Sequence, residues 1–268
     1  MLWFKKKQTK ELAIESKKEL AEVLVVPSNA DKLNITESMR REFVAIVAHQ
    51  LRAPIADIKW SLRMILDGDF GKISGKQKKI LEKTYNANNE AITLINDILN
   101  VVKIEEGKFL SQVGVIDMPE IIAESMNFYA GEAGKKNINI QISKSFDGLP
   151  QVIADREKLK IAIGNLLDNA IKYTSNGGDI KISLVNKEKE IEAQVQDTGI
   201  GIPESKQKEI FSKFFRAENA MRMTPGGSGL GLFITKYIIE AHGGKIWFKS
   251  KEGEGTIFYF TIPIKGVK

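Results

Sequence analysis

What the chain lacks already narrows its chemistry. None of its 268 residues is cysteine, which excludes disulfides, thiolate metal sites and cysteine nucleophiles. No apolar run approaches the roughly 18 residues that span a bilayer. The N-terminus also lacks the cleavage site and apolar run of a signal peptide. These absences predict a cytoplasmic protein.

A strong charge imbalance is also missing. The chain has 40 basic and 34 acidic residues, and its net charge of +6 is spread along its length. Nucleic-acid binders more often gather basic residues on one face, so no nucleic-acid partner is expected. Residues 1–7 differ, because they place apolar and aromatic side chains beside three lysines. They are a candidate contact with an anionic membrane surface, with a frayed terminus as the alternative.

Apolar residues are plentiful enough for a sizeable core. Hydrophobic residues make up 43% of the chain and charged residues 28%, which is typical of a soluble globular protein. The length suggests two domains of ordinary size. The spacing of apolar residues changes at Gly107. We therefore expect an N-terminal helix and linker at 1–35, a helical hairpin at 36–107 and a mixed domain at 108–268.

Apolar residues at spacings of three and four predict the hairpin. A helix at 6–24 should break near Pro27, and a long helix should then open with Thr36 as its N-cap. A glycine loop at 67–71 leads to a second helix at about 76–105. The two apolar stripes are Val44, Val47, Leu51, Ile55, Ile58, Leu62 and Ile65, then Ile80, Thr84, Ala87, Ala91, Leu94, Ile98 and Val101. One hairpin cannot hide both stripes, so a homodimeric four-helix bundle is expected.

Strands and helices are mixed after Gly107. Alternating apolar residues predict strands at 112–117, 138–143, 179–185, 190–196, 245–249 and 256–263. Helical spacing predicts helices at 118–133, 155–173 and 229–241. This mixture favours an α/β sandwich, in which helices cover one face of a sheet.

His49 lies off the apolar stripe of its helix. It is two positions from both Val47 and Leu51, about 200° around the helix. Its own face carries small residues and Arg52, which leaves room for another molecule to approach. An exposed histidine on a rigid helix is a candidate nucleophile, although it is also an ordinary surface feature.

The mixed domain carries an amide-rich helical face. Asn165, Asn169, Lys172 and Tyr173 fall at helical spacings that put them on one side. Amides and a cation in a row suit a hydrated metal ion and phosphates. A polar solvent face is the alternative.

Two glycine-rich segments follow. Asp197 precedes Gly199 and Gly201 after a predicted strand, and a carboxylate can accept a hydrogen bond from an amine such as that of adenine. The glycines let the backbone approach a flat ring closely, although a simple strand-to-helix turn would look similar. Residues 226–232 place three alternating glycines before a helix, where free N–H groups and the helix dipole favour anions.

Together, and in this order, these segments resemble the sensor histidine kinases of two-component systems over about residues 36–264. The resemblance implies a dimerisation and phospho-acceptor hairpin followed by an ATP-binding domain of the GHKL (Bergerat) type. It implies an enzyme that uses ATP and Mg²⁺ to phosphorylate its own histidine. It also implies a response-regulator receiver domain as the partner that takes the phosphoryl group on an aspartate.

The resemblance assigns roles to individual residues. His49 would be the phospho-acceptor, with Gln50 orienting it and Arg52 beside it. Asn169 would hold Mg²⁺, with Asn165 as a second candidate. The remaining ATP contacts would be Lys172, Tyr173, Asp197, Gly199, Gly201, Ile202, Phe211, Arg216, Gly227, Gly229, Leu230 and Gly231. Residues 217–228 would form a flexible lid, and His242 would be structural.

Two positions depart from the family pattern. The residue after the histidine is usually acidic, but here it is Gln50, which can hold a tautomer and cannot take a proton. We therefore expect slow autophosphorylation. Ala53 replaces a polar residue that positions water, so weak phosphatase activity is expected. These departures also leave open an ATP-binding scaffold, or pseudokinase, without efficient transfer, and a sister ATPase without phosphotransfer.

Overall fold

The computed structural model describes residues 29–107, 109–110, 112–142 and 148–264. The candidate membrane contact at 1–7 and the predicted helix at 6–24 lie outside these residues. The chain divides into two compact units, residues 1–46 and 47–268. The side-chain contacts of the candidate site all lie within the second unit.

Two long helices form the first part of the fold. Helix α1 spans Asn29–Asp67 and continues through Pro54, and helix α2 spans Gly75–Glu105. Thr36 lies inside α1, so its predicted role as N-cap is wrong. No proline or glycine separates Asn29 from Thr36, and nothing in that stretch stops a helix from extending back.

A capping box starts α2. The Ser74 hydroxyl accepts a hydrogen bond from the Gln77 backbone N–H at 3.3 Å, and the Gln77 side chain accepts one from the Ser74 N–H at 2.8 Å. Two otherwise unpaired donors are satisfied reciprocally. The cap fixes the register at which α2 leaves the loop.

The apolar stripes of the hairpin remain partly exposed in the single chain. Leu51 is 44% exposed, Ile58 49% and Ile80 67%, whereas Leu62 is buried. Isolated exposed apolar residues are common, but a periodic row along a helix is typical of an interface. The exposed members are those expected to meet a second hairpin.

The described residues of the C-terminal part form seven strands. Strands β1 (Val113–Ile116) and β3 (Val152–Asp155) form an antiparallel pair. A five-stranded sheet has the order β2-β4-β5-β7-β6, with β2 parallel to β4 and the other pairs antiparallel. Its strands are β2 (Asn139–Ile142), β4 (Asp179–Asn186), β5 (Glu190–Asp197), β6 (Ile246–Lys251) and β7 (Gly255–Pro263).

Three helices pack on this sheet: α3 (Met118–Lys135), α4 (Arg156–Tyr173) and α6 (Gly231–Ala241). The predicted α/β class is confirmed. The sequence did not predict strand β3, the 3₁₀ helix Glu204–Glu209 or the short helix α5, Glu218–Met223. Helix α5 occupies part of the stretch expected to be a flexible lid.

His242, at the end of α6, forms buried hydrogen bonds with two parts of the domain. It is 2% exposed. Its Nε2 accepts a hydrogen bond from the Asp155 backbone N–H at 2.9 Å, and its Nδ1 lies 2.7 Å from the Ile238 carbonyl. These partners fix a neutral tautomer with the proton on Nδ1. The residue links α6 to the start of α4, consistent with the predicted structural role.

Candidate nucleotide and phospho-acceptor sites

Asp197 ends strand β5 and is 8% exposed. Its Oδ1 accepts hydrogen bonds from the backbone N–H groups of Gly199 at 2.8 Å and Thr256 at 3.2 Å. Burial raises the pKa of Asp197 to about 6, although both hydrogen bonds favour the carboxylate and oppose the shift. A buried carboxylate with a raised pKa is typical of a functional site.

The turn after Asp197 lies too close to its neighbours for side chains. A Cβ on Gly199 would come within 2.4 Å of the Tyr173 carbonyl, and one on Gly201 within 2.0 Å of the Lys251 carbonyl. Gly201 also has a positive φ of 62°, which favours glycine. The next residue, Ile202, donates its N–H to the Ser250 hydroxyl at 2.8 Å. The predicted set from Asp197 to Ile202 thus lies in one closely packed turn.

Helix α4 presents its amide face beside this turn. The Asn165 amide donates to the Gly231 carbonyl at 3.0 Å and to the Thr235 hydroxyl at 3.3 Å, so it joins α4 to the start of α6. Asn169 is half-buried one helical turn further on. The Tyr173 carbonyl accepts the Ile200 N–H at 3.0 Å.

Lys172 stands at the end of this face and pairs with Asp168 at 2.6 Å. Burial lowers the pKa of Lys172, but the charge and hydrogen bond of Asp168 outweigh it and raise the pKa overall. The side chain therefore stays a cation. The Lys136 ammonium donates to the carbonyls of Ile171 at 2.8 Å and Lys172 at 2.9 Å. This cation neutralises the negative end of the helix.

Arg216 binds the backbone at the start of the glycine-rich segment. The guanidinium donates to the carbonyls of Pro225 at 2.8 Å and Gly227 at 3.5 Å, and also to that of Thr224. Arg216 thus holds the lid backbone in this structure, and its role toward phosphate stays a prediction. Phe211, also predicted, packs edge-on against Phe248 with ring centres 6.0 Å apart.

Gly229 lets the lid meet the segment before it. Its φ is 68°, and a Cβ there would lie 2.7 Å from the Phe214 backbone. The next residue, Leu230, is fully buried, and α6 starts at Gly231. The alternating glycines therefore lie at the junction between residues 217–228 and helix α6.

His49 is exposed on α1, as predicted, and Gln50 beside it is exposed too. Arg52 is exposed and donates to the Asn96 side chain of α2 at 3.3 Å. This bond joins the two helices about one turn from His49. The imidazole is therefore open to an incoming group.

Sequence reasoning missed several residues that build the site. Asp97 of α2 is 8% exposed and accepts a hydrogen bond from the Ser228 hydroxyl at 2.6 Å. Thr256 and Ser250 support the Asp197 turn from β7 and β6. Predicting that β5 pairs with β7 would have placed Thr256 opposite Asp197. No local sequence pattern indicates a role for Asp97.

No group of three acidic, histidine or cysteine side chains that could hold a metal occurs among the described residues. Mg²⁺ commonly takes one or two protein oxygens and completes its shell with phosphates and water. The half-buried Asn169 amide fits that limited demand. Within the same described ranges, no helix is long and apolar enough to cross a membrane.

Two protein-family models match the chain. A family model described as His Kinase A (phospho-acceptor) domain matches residues 39–107. A second, described as Histidine kinase-, DNA gyrase B-, and HSP90-like ATPase, matches residues 154–266. Together the two models cover more than half of the chain and fall on the hairpin and the mixed domain.

Individual relatives agree with these models. The circadian input-output histidine kinase CikA of Synechococcus elongatus is 31% identical over 251 residues, 93% of this chain and 32% of that protein. The chain thus spans about a third of that relative's length.

Solved structures show the same fold. The catalytic domain of the histidine kinase ThkA is 33% identical with a TM-score of 0.51, covering 58% of this chain and 99% of that one. Full-length ShkA, solved with AMPPNP, has a TM-score of 0.64 at 23% identity, covers 83% of this chain and 45% of that one, and shows likeness of fold alone. With an exposed histidine on its hairpin and a buried aspartate in its glycine turn, the chain belongs to the sensor histidine kinases, with a phospho-acceptor domain and a GHKL-type ATPase domain.

Proposed function

We propose that this chain is an ATP-dependent protein-histidine kinase that phosphorylates His49 and passes the phosphoryl group to a receiver-domain aspartate. The observation that carries the proposal is the presence, in one chain, of an exposed imidazole on a helical hairpin and a buried carboxylate in a glycine turn. Neither feature would suffice alone. The family membership supports their connection by phosphoryl transfer.

The nucleobase is assigned to the Asp197 turn. Both hydrogen bonds described for Asp197 use Oδ1, and Oδ2 is the oxygen we assign to the adenine amine. Gly199 and Gly201 let the turn pack closely against the Tyr173 and Lys251 carbonyls, which fixes the position of Asp197. The match of residues 154–266 to the Histidine kinase-, DNA gyrase B-, and HSP90-like ATPase model supports an adenine nucleotide as the ligand class.

The phosphates are assigned to the end of α4 and the glycine segment. Asn169 would hold Mg²⁺, which offsets charge on the phosphates when bound. Lys172 supplies a cation that its pairing with Asp168 keeps protonated. Residues 226–231 supply backbone N–H groups next to a helix N-terminus.

Transfer to His49 breaks one bond and forms one. A nitrogen of the imidazole attacks the γ-phosphorus in line, an N–P bond forms, the bond to the bridging oxygen breaks and ADP leaves. The imidazole proton passes to solvent, because Gln50 can accept a hydrogen bond but cannot take the proton. We therefore expect slow autophosphorylation.

A homodimer is part of the proposal. The exposed residues Leu51, Ile58 and Ile80 lie on the apolar stripes of α1 and α2. A second hairpin would cover them in a four-helix bundle. A charge placed on this stripe should therefore prevent the association.

A response-regulator receiver domain is the proposed partner. Its aspartate would take the phosphoryl group from His49. Ala53, exposed one turn from His49, offers no polar group to position water, so the chain should remove phosphate from the phospho-regulator slowly. Rapid loss of phosphate from a purified phospho-regulator on adding the chain would contradict this expectation.

Incubation with γ-labelled ATP tests the proposed function. A kinase gives acid-labile, base-stable label on the native chain and none on His49→Ala. Repeated phosphate release without protein label would identify an ATPase instead. Nucleotide binding with neither label nor phosphate release would identify a scaffold.

A further inference from the structure

The lid is fastened to the hairpin at its glycine segment. The Ser228 hydroxyl donates to Asp97 Oδ2 at 2.6 Å and accepts the Leu230 N–H at 3.1 Å. Asp97 belongs to α2 and is 8% exposed. A hydrogen bond to a buried carboxylate is among the stronger polar contacts in a protein. It ties the junction between the lid and α6 to a helix of the phospho-acceptor domain.

Two more carboxylates of α2 meet the same part of the chain. The Glu90 carboxylate lies close to Gly226: a Cβ added to Gly226 would lie 2.6 Å from Glu90 Oε2. Glu105 forms an ion pair with Lys213 at 2.5 Å. Glu90, Asp97 and Glu105 follow one another at intervals of about two helical turns. Helix α2 therefore contacts residues 213–228 at three points along its length.

Asp97 also brings negative charge to the proposed phosphate site. Burial raises the pKa of Asp97, the Ser228 hydrogen bond and the Lys172 charge oppose the shift, and Asp168 adds to it. Lys172 therefore faces two carboxylates, Asp168 and Asp97. A triphosphate at Lys172 would place its own negative charges against Asp97, which like-charge repulsion disfavours.

We propose that α2 acts as an autoinhibitory strap, in which Asp97 holds Ser228 in a docked lid that excludes the nucleotide. This inference rests on the proposed ATP site and adds a regulation to it. Nucleotide binds only when the strap releases the lid, so the apparent affinity falls with the docked fraction. By linkage, nucleotide must weaken docking as much as docking weakens nucleotide binding.

The absence of cysteine in the chain permits a direct test of this exclusion. The double variant Asp97→Cys, Ser228→Cys is oxidised with and without ADP, with each single variant as control for bonds between chains. We expect saturating ADP to slow formation of the intrachain disulfide at least about fivefold, and the oxidised form to bind ADP at least about tenfold more weakly than the reduced form. Equal disulfide rates or equal affinities would overturn the strap.

A second measurement needs no crosslink. Asp97→Ala removes the contact and its charge, whereas Glu82→Ala removes an exposed carboxylate of the same helix. We expect Asp97→Ala to bind ADP about tenfold more tightly, the equivalent of one hydrogen bond to a charged group, and Glu82→Ala to bind as the native chain does. Unchanged or weaker binding by Asp97→Ala would contradict the proposal.

These readouts separate the strap from the proposed kinase. Nucleotide binding requires no phosphoryl transfer, so a chain that shows the affinity changes but no label on His49 refutes the kinase and supports the strap. A chain that labels His49 but shows no affinity change supports the kinase and refutes the strap. Absence of nucleotide binding in every variant would overturn both.

Discussion

Gln50 is the residue that most distinguishes the phospho-acceptor site. It is exposed beside His49, and its amide cannot accept the proton that the imidazole loses. Gln50→Glu should speed autophosphorylation, toward the lower end of the roughly 10²–10⁴-fold range of general-base help, because neutral imidazole is already nucleophilic. The single-turnover rate with saturating ATP measures this. An unchanged or lower rate would show that the position does not limit the reaction.

In the proposed site the two carboxylate oxygens of Asp197 have different roles: Oδ1 is structural and Oδ2 recognises the nucleobase. Oδ1 accepts both described backbone hydrogen bonds, and the Asn side chain of Asp197→Asn can keep them. Its amide N–H₂ would then face the adenine amine, donor against donor. We expect ADP affinity to fall about 30-fold or more, from loss of a charge-assisted hydrogen bond. Titration calorimetry measures it.

The same variant should stay folded. Burial disfavours the charged form of Asp197, so its neutral replacement should be at least as stable to unfolding at pH 7 as the native chain. Denaturant unfolding of both proteins checks this. Full ADP affinity in the folded variant would remove Asp197 from the nucleobase site.

The pKa of Asp197, raised to about 6, predicts a pH dependence of nucleotide binding. The ionised form would accept the proposed adenine hydrogen bond, so affinity should rise as pH increases through about 6 and level off above it. Below that value binding competes with protonation. ADP affinities measured from pH 5 to 8 should show this step in the native chain, and the residual binding of Asp197→Asn should lack it.

The chain's two histidines form a matched pair for stability. His242→Leu leaves the buried Asp155 N–H without its 2.9 Å acceptor, at a cost of about 1–3 kcal/mol. His49→Leu changes an exposed side chain, and its effect should stay within about 0.5 kcal/mol. Denaturant midpoints compare them. A larger loss from His49→Leu would mean that His49 is a packing residue.

At the level of elements, the long amphipathic helices were the easiest to predict. Their periodicity persists over many turns, and the capping residues Ser74 and Gln77 mark the start of α2. The predicted start of α1 was wrong because Thr36 resembles an N-cap, whereas no residue between Asn29 and Thr36 prevents the helix from starting earlier. Strand β3, Val152–Asp155, was missed because its four residues are too few to show a period.

The exposed stripe of α1 is the element that should make the dimer. Leu51→Glu places a charge at a position 44% exposed in the single chain that a second hairpin would cover. We expect this variant to be monomeric by light scattering. Trp60→Glu is the control, since Trp60 is 66% exposed and lies on the opposite face of α1. A dimeric Leu51→Glu would argue against association through this stripe.

At the level of the whole molecule, the sequence predicts the site's parts better than their connections. Asp197 and its glycines form the expected turn because close backbone approaches leave a local glycine signature. Arg216, by contrast, braces the lid through carbonyls that no sequence pattern marks. The contact of Asp97 with Ser228 joins residues 131 positions apart. Such contacts depend on how helices meet, and periodicity does not record that.

Peptide mapping by mass spectrometry at neutral pH shows directly whether ATP phosphorylates His49. After incubation with ATP and Mg²⁺, we expect one added phosphoryl group on the peptide containing His49, lost after brief acid treatment. His49→Ala should bind ADP as the native chain does and carry no phosphoryl group. Phosphorylation that persists in His49→Ala, or none on the native chain despite bound nucleotide, would show that His49 is not the phospho-acceptor.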